Sequence, residues 1–228
     1  MSASTPRPSG PALHQLSTPR AAAIAGVVFS ILFGVSLVLI GTNMPEGAKD
    51  SSEWLSTQHA GIVTAALLMP FAGISFLWFI GVVRDGFGRY EDRFFATVFL
   101  GSGLLFLAMI FTATAVAAAL VATNSGVIDA RAHAEVVNFG KMVFLAAAKT
   151  YALRMAAVFM ISLATIWLKT ALMPRWLVVI TYLAGVALLI ASDLSMWVTL
   201  AFQFWVLVVS GAILARAERI DELRAGNE

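Results

Sequence analysis

Residues 176–215 read WLVVITYLAGVALLIASDLSMWVTLAFQFWVLVVSGAILA, forty residues with one polar break at Ser192-Asp193-Leu194-Ser195. As a single helix this stretch would be about 60 Å long. The hydrocarbon layer of a bilayer is only about 30 Å thick. The stretch must therefore fold back as a hairpin of two spans, 176–192 and 195–215. The break supplies the helix-capping chemistry, with Asp193 a candidate N-cap of the second span.

Outward from that hairpin, comparable apolar runs recur at 21–41, 58–83, 94–122 and 142–168. Over all 228 residues, 60% are hydrophobic and 12% charged, and mean hydropathy is +0.87. Soluble domains sit near 45–50% and about 25%. The composition therefore excludes a soluble enzyme, a secreted disulfide scaffold and a nucleic-acid reader. The expected fold is all-α: a polytopic membrane bundle of six transmembrane helices. The segment 1–20 carries Pro6, Pro8, Pro11 and Pro19 and is expected to be a disordered tail. The run 21–41 is too long for a signal-peptide core and reads as an uncleaved first span. The segment 216–228 reads as a charged tail.

Orientation follows from the cations. With the N-terminus inside, the inner segments hold Arg7, Arg20, Arg84, Arg89, Arg93, Lys169, Arg175, Arg216, Arg219 and Arg224. The outer segments hold Lys49, Arg131 and Lys141. Both tails are expected to be cytoplasmic, in a multi-pass protein of the plasma membrane. Trp78, Trp167 and Trp176 then fall at the inner interface, and Trp54 and Trp197 at the outer one, as an aromatic belt requires. Trp205 lies in mid-span, outside that belt. Gly26, Ser30 and Gly34 recur every fourth residue, spacing that lets a neighbouring helix approach. Gly101, Gly103 and the alanines of 113–119 thin the third span, and Pro70 is expected to kink the second.

Ionisable groups within spans are costly and are functional or paired. Lys149, Arg154 and Asp193 are the candidates, with His59 at the outer entrance of the second span. Glu135, Asn138, Lys141 and Lys149 share a 120° sector of the fourth helix. Its first part is therefore expected to be amphipathic, projecting outside or lying at the outer interface. Arg154 is five residues deeper, about 7.5 Å, and points off that sector. Two readings stay open: an outward-facing polar site of Arg154, Asp193, Lys149 and His59, or Asp193 as a cap with Arg154 snorkelling.

Between the second and third spans the chain reads Gly81-Val-Val-Arg-Asp85-Gly-Phe-Gly88-Arg89-Tyr-Glu-Asp-Arg93. This G-x-x-x-D-x-x-G-R spacing resembles the corresponding loop of major facilitator transporters. The resemblance implies a cytoplasmic latch of Asp85, Arg89 and Arg93. The chain has half the length of that family, and a solvated tight turn with positive-inside charges accounts for the same residues. The stretches Leu77-Trp-Phe-Ile-Gly-Val-Val-Arg-Asp85 and Asp92-Arg-Phe-Phe-Ala-Thr-Val-Phe-Leu-Gly-Ser-Gly-Leu-Leu-Phe106 resemble a family of multi-span membrane proteins from actinobacteria. That resemblance implies a bacterial plasma-membrane protein and brings no activity, cofactor or catalytic residue.

Enzyme chemistry finds little footing. There is no cysteine, and the three histidines, His14, His59 and His133, form no H-E-x-x-H pair. No bis-histidine haem site, Schiff-base lysine in the last span or Gly-rich phosphate loop is present. No cofactor, metal or nucleic acid is expected. The expected function is a small solute- or lipid-binding carrier with an outward-facing polar site. The alternative is a non-catalytic accessory or scaffold subunit. Membrane lipids and a second copy or another membrane protein are the expected partners.

Overall fold

A computed structural model describes residues 18–44, 60–85, 93–122, 130–191 and 198–225. His59, Arg89 and Asp193 lie outside the described residues, as do Trp54 and Trp197. Among the described residues the ordered structure is helical throughout: α1 (Thr18–Asn43), α2 (Ala60–Asp85), α3 (Arg93–Ala122) and α4 (Ala130–Leu145). A π-helical turn (Ala146–Ala152) then leads into α5 (Leu153–Thr170), followed by α6 (Arg175–Ala191) and α7 (Thr199–Ala225). Backbone angles stay helical through Leu145 and Leu153, so α4, the π turn and α5 form one continuous rod. The described parts of the six apolar runs fall on α1, α2, α3, the rod, α6 and α7. Five stretches are long and apolar enough to cross a bilayer, while α6 has 17 residues and is a shorter apolar helix. The helix of the last expected span continues to Ala225, beyond the expected limit at 215.

Close approaches at glycine show how the helices pair. Gly61 of α2 faces Asn43 at the end of α1. Gly73 faces Phe111 while Gly103 faces Ile80, so α2 and α3 are antiparallel. Gly140 faces Leu120 while Gly103 faces Phe159, so the α4–α5 rod runs back along α3. Gly26 faces Ser210 while Ser30 bonds to the Gln203 carbonyl, so α1 and α7 are antiparallel as well. α1 packs most extensively on α2 and next on α7, and α5 lies between α3 and α6. Of the predicted small-residue stripe on α1, Gly26 and Ser30 make close contacts, whereas Gly34 faces open space. Gly101 is likewise open, and Gly103 carries the contact on α3. α2 continues as helix through Pro70.

The core is aromatic. Phe29, Phe33, Phe76, Phe79, Phe99, Phe106, Phe159 and Phe202 are fully buried. Phe76 is the hub, with ring centroids 4.6 Å from Phe29, 5.5 Å from Phe106, 5.3 Å from Phe159 and 5.9 Å from Phe202. Trp205, outside the belt by sequence, belongs to this cluster. Its ring stacks on Phe202 at 5.9 Å, and its Nε1 donates to Thr181 Oγ1 at 3.0 Å. The expectation for Trp167 needs correcting. It is 2% exposed and faces Trp205, whereas Trp78 at 67% does face outward. An all-round apolar helix carries no sequence mark separating lipid-facing from core-facing rings.

Five hydroxyl groups in the bundle return to their own helices, whereas the buried Ser210 Oγ has no hydrogen-bond partner among the described residues. Ser30, Ser36, Ser102, Thr114 and Thr165 each donate to the carbonyl four residues back, at 2.7–2.9 Å. These five donors are thereby satisfied without water. Thr165 and Tyr182 also share a 2.7 Å hydrogen bond that ties α5 to α6. Arg216 of α7 donates from Nη1 to the Leu172 carbonyl in the α5–α6 turn, with Met173 Sδ 3.8 Å away. That turn is entered through Ala171, whose φ of 53° is left-handed. A Cβ in this conformation costs about 1 kcal/mol, which glycine avoids. Ala171→Gly should therefore stabilise the folded protein by about that amount, read as a rise of a few degrees in its unfolding midpoint in detergent. An unchanged or lower midpoint would show that the turn carries no such strain.

Candidate functional site

The helices sort the described charges to two ends. Because successive helices alternate in direction, Arg20, Arg84, Arg93, Lys169, Arg175 and Arg216 gather at one end of the bundle. Lys169 lies over the Phe95 ring, 4.6 Å from its centroid, which places the end of α5 level with the start of α3. The exposed rings of Trp78, Phe94 and Trp176 sit at this same end. The two described members of the expected loop latch are here too: Asp85 closes α2, Arg93 opens α3, and both are exposed.

Lys149 and Arg154, the two described members of the expected polar site, lie toward the opposite end, and the structure gives them a feature absent from the sequence reading. Lys149 and Thr150 fall inside the π turn, and Arg154 follows it by two residues. A π turn holds one residue more than an α turn. The buried stripe of the rod records the slip. Val137, Gly140, Phe144 and Ala147 follow at steps of three and four; the buried pair Ala147 and Ala148 is then followed five residues on by the pair Ala152 and Leu153, and Ala156, Phe159 and Leu163 resume the ordinary spacing.

This slip re-aims the cations. In an uninterrupted α-helix, Lys149 would stack over Ala152 and Leu153, and Arg154 would lie about 140° away. Ala152 and Leu153 are in fact fully buried, while Lys149, Thr150 and Arg154 are all half-buried on one flank. The extra residue brings Arg154 to within about 40° of Lys149. Arg154 Nη1 donates to the Thr150 carbonyl at 3.1 Å, which holds the guanidinium against the π turn. Tyr151, between them in sequence, is exposed. The offset of Arg154 from the polar sector is the one trace of the slip that the sequence carries. Lys149 and Arg154 thus share one flank of the rod, apart from Asp85 and Arg93 at the basic end.

α4, whose first part is expected to project outside or lie at the outer interface, packs on α3 over its second part. Val137, Gly140 and Phe144 are buried, and the helix packs along α3. Gly140 is level with Leu120, two residues before the end of α3 at Ala122, so about 12 Å of α4, from Ala130 to Val137, extends beyond it. Among the described residues no group of three or more His, Asp or Glu could hold a metal ion.

An all-helical bundle whose outer faces carry Ile24, Leu67, Phe71, Ile190 and Phe204 in exposed positions is compatible with an integral membrane protein. No family model, curated protein or solved structure matches the chain.

Proposed function

We propose that the chain is an integral protein of the bacterial plasma membrane, of the kind its resemblance to actinobacterial membrane proteins implies. Its two tails are cytoplasmic, and it binds a small solute or lipid at an outward-facing polar site built on Lys149 and Arg154. The observation that carries this reading is the π turn. Such turns give up regular helical hydrogen bonding and concentrate at functional sites. Here the turn sets two cations side by side within an otherwise apolar stretch. The six cations at the opposite end support the cytoplasmic assignment of that end. Asp193 and His59 belong to the same proposed site by their place in the sequence.

A second reading, a non-catalytic scaffold subunit that packs against another membrane protein or a second copy, is favoured by the aromatic core. Phe76, Phe106, Phe159 and Phe202 close the centre of the bundle with ring contacts of 4.8–6.1 Å. The chain has no cysteine, so single-cysteine substitutions at Lys149, Thr150, Ala152, Leu153 and Arg154 can separate the readings. A membrane-impermeant thiol reagent applied to intact cells should label positions 149, 150 and 154 and spare 152 and 153. Labelling that stops at position 149 would remove the wet site and leave the scaffold reading.

A further inference from the structure

The apolar side chains of α4 fall into two stripes, and only one of them is buried. Val137, Gly140, Phe144 and Ala147 form the buried stripe, with Gly140 against Leu120 of α3. The second stripe, Val136, Phe139, Val143 and Ala146, lies about 100° further round the helix. Val136 is 50% exposed and Phe139 71%. Val143 is half-buried, and Ala146, where the π turn begins, is exposed. Val136 and Val143 stand one heptad apart, as do Phe139 and Ala146. This is the a/d spacing of a coiled-coil seam, with β-branched valine at both a positions. The polar side chains Arg131, Glu135, Asn138 and Lys141 all fall off the seam.

Depth excludes lipid tails as its cover. Lys169 marks the basic end of α5. Counted from it along the rod, Ala146 lies 23 residues away and Val136 33, or about 35 and 50 Å. The hydrocarbon layer is only about 30 Å thick. The seam therefore stands among the head groups and in the water beyond them, where exposed apolar surface is unfavourable. A second copy suits it for three reasons. Copies in one bilayer share one orientation, so a two-fold axis along the membrane normal sets their α4 helices parallel. Valine at a favours the parallel two-stranded arrangement. Like charges do not meet across such a pair: Arg131 and Lys141 occupy the outer c and f positions, and the e position facing Glu135 at g is Gly140. Because α4 already packs on α3, pairing orders no further backbone.

We propose that two copies of the chain pair in parallel through Val136, Phe139, Val143 and Ala146 of α4, forming a homodimer at the end opposite the basic one. The pairing requires no ligand at Lys149 or Arg154, so it stands or falls apart from the polar site.

The test uses the full chain in proteoliposomes. With no native cysteine, single substitutions report the pairing. Around a two-fold axis each seam residue meets its own counterpart at a distance that a disulfide spans. Oxidation should link copies that carry Val136→Cys, Phe139→Cys or Val143→Cys, and leave Asn138→Cys and Lys141→Cys unlinked. Phe139→Glu alters a side chain exposed in the single chain, so helix content should stay unchanged. It should weaken dimerisation by about tenfold, read by single-molecule photobleaching over a series of protein-to-lipid ratios. Phe71→Ala on the outer face of α2 should leave dimerisation unchanged. If Phe139→Glu does not fold, the cysteine series still decides. Linking at every position alike, linking at none, or a dimer that tolerates Phe139→Glu would overturn the proposal. So would a crosslink within one chain between cysteines at positions 54 and 139, which would give the seam to the 45–59 segment. Thiol labelling at position 154 without seam crosslinking would reject the dimer and keep the wet site. Seam crosslinking without labelling would do the reverse.

Discussion

Phe76→Ala should cost about 3 kcal/mol of stability, the largest loss expected from a single truncation in this protein. Phe76 is fully buried and meets rings from α1, α2, α3, α5 and α7: Phe29, Phe79, Phe106, Phe159 and Phe202. In water such a truncation loses transfer free energy and also leaves a cavity. In a bilayer most of the transfer contribution vanishes, because lipid tails are as apolar as the bundle interior. The cavity and the lost dispersion contacts remain, which is why the value sits at the low end of the range for phenylalanine. Phe71→Ala on the same helix is the control. Its ring is exposed on the outer face, so its loss should change stability by less than about 0.5 kcal/mol. Denaturant titration in mixed micelles, followed by helix content, measures both. Equal losses would mean that the ring cluster does not hold the helices together.

Gly26→Leu should prevent α1 from docking on α7, whereas Gly73→Ala should be mild. A Cβ at Gly26 would collide with Ser210 Oγ and lie 2.9 Å from Phe79 Cδ2. Ser210 is fully buried, and although its hydroxyl can turn about its own Cα–Cβ bond, the rest of a leucine side chain has no room there unless α7 shifts. That displacement would also break the 3.1 Å bond from Ser30 Oγ to the Gln203 carbonyl. Overpacking of a tight core costs about 1–3 kcal/mol, and leucine here should reach the top of that range. A Cβ at Gly73 meets the far end of the Phe111 ring instead. Phe111 is 39% exposed and can swing outward, so the expected cost is below about 1 kcal/mol. A cysteine pair placed on α1 and α7 would report the docking by crosslinking. Crosslinking that persists unchanged with leucine at position 26 would show that the helices do not approach there.

What could be read from the residues follows from simple sums. Runs of apolar side chains long enough to cross a hydrocarbon layer are helical because no other open structure satisfies the backbone there. The hairpin within 176–215 follows from length alone, and the division of charge between the two ends follows from the places of arginine and lysine. The candidates Lys149 and Arg154 were legible because charge is rare and costly in such surroundings.

The tertiary structure decided which faces meet. Trp167 and Trp78 are alike in sequence context, yet one packs on Trp205 and the other points outward. Gly26 and Gly34 lie on one stripe, yet only Gly26 meets a neighbouring helix. The one-residue slip between the buried pairs Ala147–Ala148 and Ala152–Leu153, which brings Arg154 toward the flank of Lys149, goes with a rod that packs on α3 on both sides of the π turn. The reason is common to all three. In lipid, the inside and the outside of a bundle are equally apolar, so hydropathy determines that a helix enters the membrane but not how it turns there. Rotation and register are left to the steric fit between helices, which exists only once they are packed.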